Sequence, residues 1–64
     1  MMRPDYVHLQ HDLINTIGIA MHNGVPMAVI DLSNAERDNI DPEELCHLAR
    51  EYGLDPDDYL VDDD

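Results

Sequence analysis

Residues 14–30, INTIGIAMHNGVPMAVI, decide what kind of domain this chain forms, because they read either as a helix end followed by a strand or as a β-hairpin. For the hairpin speak Asn23-Gly24, a strong turn dipeptide, and the β-branched Ile14, Thr16, Ile17 and Ile19. Against it, Pro26 would fall close to the turn of a paired strand, where its missing N–H breaks the ladder. The helical reading accounts for more of the chain. At 100° per residue Tyr6, Val7, Leu9, Leu13, Ile14, Ile17, Ala20 and Met21 fall within about 160° of arc. The polar His8, His11, Asp12, Asn15, Thr16 and His22 fill the other side, and only Gln10 and Ile19 break the pattern. Pro4 and Asp5 suit the start of this helix and Asn23-Gly24 its end.

Working outward, residues 27–32, MAVIDL, form a short β-branched run bounded by Pro26 and Ser33-Asn34, which reads as a strand. Ser33 and Glu36 have the spacing of a capping box and suggest a single turn before Asn39. A solitary strand leaves backbone donors and acceptors unpaired. It is therefore expected to pair with its own copy in a second protomer.

The clearest local grammar lies in residues 40–60, IDPEELCHLAREYGLDPDDYL. Asp41 reads as an N-cap, Pro42 as the first helical residue, and Glu43 and Glu44 as acids suited to a helix N-terminus. Ile40 and Leu45 fit a hydrophobic staple. Gly53 supplies a left-handed C′ position, with Leu54 folding back beyond it. The opening then recurs position by position as Leu54, Asp55, Pro56, Asp57, Asp58 and Tyr59, which predicts a last helical turn.

These readings give one small α+β domain over residues 1–61, helix–strand–helix with a short C-terminal helical turn, and a frayed acidic tail at 62–64. Dimerisation is expected through the strand or the first helix. The alternative is an N-terminal β-hairpin packed on the C-terminal helix. A chain of 64 residues buries only about 60% of its unfolded surface, so support from self-association is expected. Cys46 is the sole cysteine, which excludes an intrachain disulfide and fits a reducing compartment. The opening MMRPDY lacks a basic lead followed by an apolar core, and the longest apolar run, residues 25–30, is far short of the roughly 20 needed to span a bilayer. The expected location is the cytoplasm.

Charge narrows the function. Fifteen acids stand against three arginines, for a net charge of −12. Such a chain is repelled by nucleic acid and by anionic membrane and attracted to basic surfaces. The imbalance lies in the second half: residues 1–30 hold Asp5, Asp12 and Arg3, while residues 31–64 hold thirteen acids with Arg37 and Arg50. Salt adaptation would spread acid over every face, yet the polar side of the first helix carries mainly His, Asn and Thr. The expected function is a non-enzymatic acidic protein-binding module, an inhibitor, adaptor or regulatory subunit. It would dock on a basic surface of a larger protein, including as a nucleic-acid mimic. The docking residues expected are Glu43, Glu44, Glu51, Asp55, Asp57, Asp58 and Tyr59, with Tyr59 as the exposed aromatic anchor.

Two other readings start from different residues. In one, the chain is a structural or assembly subunit whose acid only keeps it in solution. In the other, it binds metal through His8, His11 and a third ligand such as Cys46, although the spacing matches no zinc motif. No catalytic residue is expected: Ser33, the only serine, reads as a cap, and Cys46 and His47 diverge by 100° on a helix. The three glycines are isolated, so no phosphate-cradling loop and no cofactor are expected.

Overall fold

The computed structural model describes residues 2–62. In chain order they form strand β1 (Met2–Pro4), helix α1 (Tyr6–His22), helix α2 (Ala28–Ala35), helix α3 (Pro42–Glu51), a 3-10 turn (Pro56–Tyr59) and strand β2 (Leu60–Asp62). The class is small α+β. Its two strands pair antiparallel, with Met2 opposite Asp62, Arg3 opposite Val61 and Pro4 opposite Leu60. The Asp5 N–H donates to the Tyr59 carbonyl at 2.7 Å, which ties the first turn of α1 to the end of the 3-10 turn. The expected tail thus begins inside a strand at Asp62, while Asp63 and Asp64 lie outside the described residues.

Local chemistry sets the ends of α1. The Asp5 carboxylate accepts from the His8 N–H at 3.1 Å, an N-cap that satisfies one orphan donor of the first turn. At the other end Gly24 has φ +87°, its N–H donates to the Met21 carbonyl and the Val25 N–H reaches back to Ala20. That is a Schellman closure, so Asn23-Gly24 terminates a helix and the hairpin alternative does not form. Leu9, Leu13 and Ile17, one turn apart along a single stripe, are fully buried.

The segment read as a strand, residues 27–32, is instead the N-cap Met27 and the first part of α2. Strand propensity loses to packing here. Ala28 and Ala35, seven residues apart, are both fully buried, and Leu32 between them packs on the same cluster. A helix places those three on one side, against α1, whereas a strand would bury alternate residues and lack a partner. Ser33 accordingly lies inside α2, and Glu36 is its C-cap rather than part of a new opening. Gln10 holds the far end of this helix: its side-chain amide donates to the Ala35 carbonyl at 2.7 Å and to the Arg37 carbonyl at 3.0 Å. The polar residue that interrupted the apolar arc of α1 is a C-terminal cap for α2 supplied from a neighbouring helix.

With no strand at 27–32, the ground for pairing copies through it disappears. The strands present belong to the two ends of the described chain and pair with each other. The core consists of Leu9, Leu13 and Ile17 from α1, Ala28 and Ala35 from α2, and Leu45, Leu48 and Ala49 from α3.

Candidate functional site

The acidic half takes its shape from two repeated caps. The Asp41 carboxylate accepts from the Glu43 N–H at 2.9 Å, and the Asp55 carboxylate accepts from the Asp57 N–H at 3.0 Å, each one residue before a proline. Leu45, Leu48 and Ala49 turn inward from α3, so its 100° step leaves Glu43, His47, Arg50 and Glu51 in solvent. Gly53, at φ +82°, closes α3, with the Leu54 N–H donating to Ala49 and the Gly53 N–H to Arg50. The chain then enters the second Asp-Pro opening, where Pro56 is buried and Asp57 and Asp58 are exposed.

The expected docking carboxylates are all exposed, but they differ in what already holds them. Glu44 is paired with Arg37 at 2.9 Å, and Glu51 lies 3.4 Å from the His47 imidazole. Asp55 is engaged with backbone as a cap. Among the described residues, the side chains of Glu43, Asp57 and Asp58 make no hydrogen bond and no ion pair. Glu36 and Asp38, exposed at and just beyond the end of α2, are unpaired as well.

Tyr59 is not the exposed aromatic. It is half-buried, its hydroxyl donates to Asp12 at 2.7 Å, and its ring meets His8 edge-on at 5.2 Å between centroids. The hydrogen bond from Tyr59, and after it the proximity of His8 and His11, hold the Asp12 carboxyl below the ordinary carboxylate range; the same bond pushes the Tyr59 hydroxyl up. Tyr59 therefore anchors the 3-10 turn to α1. Tyr52 has a similar task, donating to Asp31 of α2 at 2.6 Å, which with burial raises its hydroxyl to about 12.

The exposed tyrosine is Tyr6, at 37%. With Pro42, Glu43, Cys46, His47 and Arg50 it lines a shallow concavity of about 540 Å³ between the start of α1 and α3. The sequence reading placed Tyr6 among the core-facing residues. Its position as the first residue of α1 was the available signal, since the opening turn has no preceding turn to cover it. Cys46 is half-buried at this wall, and no hydrogen bond joins its thiol to His47. His8 and His11 lie 3.5 and 3.8 Å from the Asp12 carboxylate. Among the described residues no group of three or more His, Cys, Asp and Glu is placed to hold a metal ion.

The other end of the molecule has the opposite character. Residues 13–30 carry no Asp, Glu, Lys or Arg, and they include Ile19, Met21, Val25, Met27, Val29 and Ile30, all exposed. No helix among the described residues is long and apolar enough to cross a membrane. No known family model matches the chain, and neither a curated protein nor a solved structure does.

Proposed function

We propose that this chain is a non-enzymatic acidic binding module that docks α3 and the following 3-10 turn on a basic surface of a larger protein, acting as an inhibitor, adaptor or regulatory subunit. The observation that carries the reading is the exposure of Glu43, Asp57 and Asp58, unpaired within the fold, in the first turns of α3 and of the 3-10 turn. Glu44, Glu51 and Asp55 add charge to that half while already serving the fold. Long-range attraction sets the rate and orientation of encounter, and short-range contact comes from apolar groups within the same surface. Tyr6, beside Glu43, and the exposed Leu60 are the groups placed to supply it. Tyr59 fixes the turn in position from behind.

A protein that handles nucleic acid is one class of partner with such a surface, and the carboxylates would then occupy its phosphate positions. The net charge of −12 argues against direct contact with nucleic acid or anionic lipid. A single half-buried cysteine fits a cytoplasmic location.

The test is capture of the partner from cells of the source organism, its identification by mass spectrometry, and titration of the purified pair. Affinity should fall steeply between low and physiological ionic strength, and the Glu43→Gln, Asp57→Asn, Asp58→Asn triple variant should bind at least tenfold more weakly. Those three side chains hold no hydrogen-bond or ion-pair partner, but they sit in first turns, so the variant should melt somewhat below the native chain while staying folded at the temperature of the assay. Binding that ignores both salt and the triple variant would overturn the reading.

A further inference from the structure

The closure of α1 contains a reactive pair. Asn23 is followed by Gly24, and both are exposed. The side-chain amide of an asparagine is open to attack by the backbone nitrogen of the next residue, one reason asparagine counts among the thermolabile residues. Attack is fastest where that next residue is glycine, because no side chain hinders approach to its nitrogen. The fold adds no obstacle of its own: a Cβ built at Gly24 meets no atom within 4 Å. The other asparagines, Asn15, Asn34 and Asn39, precede Thr16, Ala35 and Ile40, and the first two lie inside α1 and α2.

The native backbone keeps the pair from reacting. The Gly24 N–H donates to the Met21 carbonyl at 3.0 Å, which holds the proton that the nitrogen must lose. Orientation is against it as well. A five-membered ring closes only when the Gly24 nitrogen is nearly eclipsed with the Asn23 Cβ. At the Asn23 ψ of 2° it is eclipsed with the Asn23 nitrogen instead, and turned away from Cβ. Hydrogen bonds from the Asn23 N–H to Ile19 at 3.0 Å and from the Val25 N–H to Ala20 at 3.1 Å fix that arrangement. Helix ends open at the lowest free energy of any part of a fold, so opening of this last turn is the step that releases the pair.

We propose that Asn23 is a modification site, converted to aspartate and isoaspartate when the end of α1 opens and protected while the closure is intact. The Gly24 nitrogen bonds to the Asn23 Cγ, the bond from Cγ to the side-chain nitrogen breaks, and that nitrogen leaves with the Gly24 proton as ammonia. Water then opens the succinimide ring. Cleavage at Cγ gives aspartate, and cleavage at the main-chain carbonyl gives isoaspartate. Either product sets a carboxylate among residues 13–30, which otherwise carry no Asp, Glu, Lys or Arg. It stands at the C-terminal end of α1, where the helix dipole disfavours it. Isoaspartate also lengthens the backbone by one methylene inside the closure and puts its hydrogen bonds out of step. Conversion thus loosens the connection from α1 to α2. This site is independent of the acidic docking.

Peptide mapping by mass spectrometry, on the chain held in mildly alkaline buffer with and without denaturant, tests this by the change from amide to acid. In the unfolded chain Asn23 should convert first among the four asparagines. In the folded chain it should convert about tenfold more slowly or less. Ala20→Gly weakens the last turns of α1 without touching the pair. At a temperature where both chains stay folded it should speed conversion severalfold, and in denaturant it should change nothing. Gly24→Ala, compared in denaturant so that its effect on the fold does not enter, should slow conversion severalfold. Equal rates with and without denaturant would overturn the proposal. So would an Asn23 that outlasts another asparagine in the unfolded chain, or a folded rate indifferent to Ala20→Gly.

Discussion

Gln10 is the only described side chain that reaches from one helix to the exposed carbonyls at the end of another, and its removal should cost more than an ordinary surface change. The amide nitrogen serves two acceptors, at 2.7 Å on Ala35 and 3.0 Å on Arg37. The first bond is partly buried, and its carbonyl, once orphaned, is only partly recovered by water; the loss is about 1–2 kcal/mol. The second is exposed and rehydrates at little cost. Gln10→Ala should therefore destabilise by about 2 kcal/mol. A chain of this length has on the order of 3–10 kcal/mol in total, and each kcal/mol moves the midpoint of so small a domain by about 4–8 °C. Thermal unfolding followed by helical circular dichroism should show a midpoint lower by about 8–16 °C.

Gln10→Glu isolates the donor from the packing. At neutral pH the carboxylate has the same shape, offers no proton and faces two carbonyl oxygens, so this variant should be less stable than Gln10→Ala. As pH falls through the ordinary glutamate range, near pH 4.3, the protonated side chain regains one donor and the order of the two variants should reverse. Comparing the variants with each other at each pH removes the common effect of discharging so acidic a chain. If Gln10→Ala melts within about 2 °C of the native protein, a shift worth well under 1 kcal/mol, the reasoning fails. Water would then serve both carbonyls, and Ala28, Leu32 and Ala35 alone would hold α2.

Two further tests use contrasts already present in the fold. Gly53→Ala should destabilise by about 1 kcal/mol, because φ +82° is left-handed, whereas Gly18→Ala should stabilise by about 1 kcal/mol through helix propensity; chemical denaturation of both checks the opposite signs. The Tyr52 hydroxyl, raised to about 12 by its bond to Asp31, contributes stability that is fully present below pH 10 and is lost as pH rises from there through 12. Alkaline unfolding of Tyr52→Phe should lack that part of the native pH dependence.

Whatever a few neighbouring residues decide was legible in the sequence. Asp5, Asp41 and Asp55 cap because each can reach an N–H two or three residues on, and Gly24 and Gly53 close helices because a left-handed residue is needed there. The α2 segment was not legible. Its β-branched composition points to a strand, while the deciding contacts come from Gln10 and the buried stripe of α1, some 25 residues away. β1 and β2 escaped for a related reason: each is three residues long, too short for any period, and they exist because Asp5 and Tyr59 bring the ends of the described chain together. Of the two irregularities in the α1 pattern, Gln10 proved informative as a cap, and Ile19 is an exposed apolar residue of the uncharged end. At the acidic half, exposure of the carboxylates followed from the α3 pattern. The exchange of roles between Tyr59 and Tyr6 did not, since it depends on Asp12 lying within reach of one ring and nothing covering the other.

The length of α1 gives this arrangement its physical sense. Seventeen helical residues extend about 25 Å, roughly three Debye lengths at physiological ionic strength. The charge-free residues 13–30 take up the second part of that length, while the 3-10 turn is tied to its start through Asp5 and Asp12. So small a core tolerates a net charge of −12 because the acids that cap helices, pair with Arg37 or accept from Tyr52 and Tyr59 stabilise the fold, while Glu36, Asp38, Glu43, Asp57 and Asp58 remain exposed on its outside. Neutralising Glu43, Asp57 and Asp58 removes no hydrogen bond or ion pair, so the docking charge should be lost while the core of α1, α2 and α3 stays assembled.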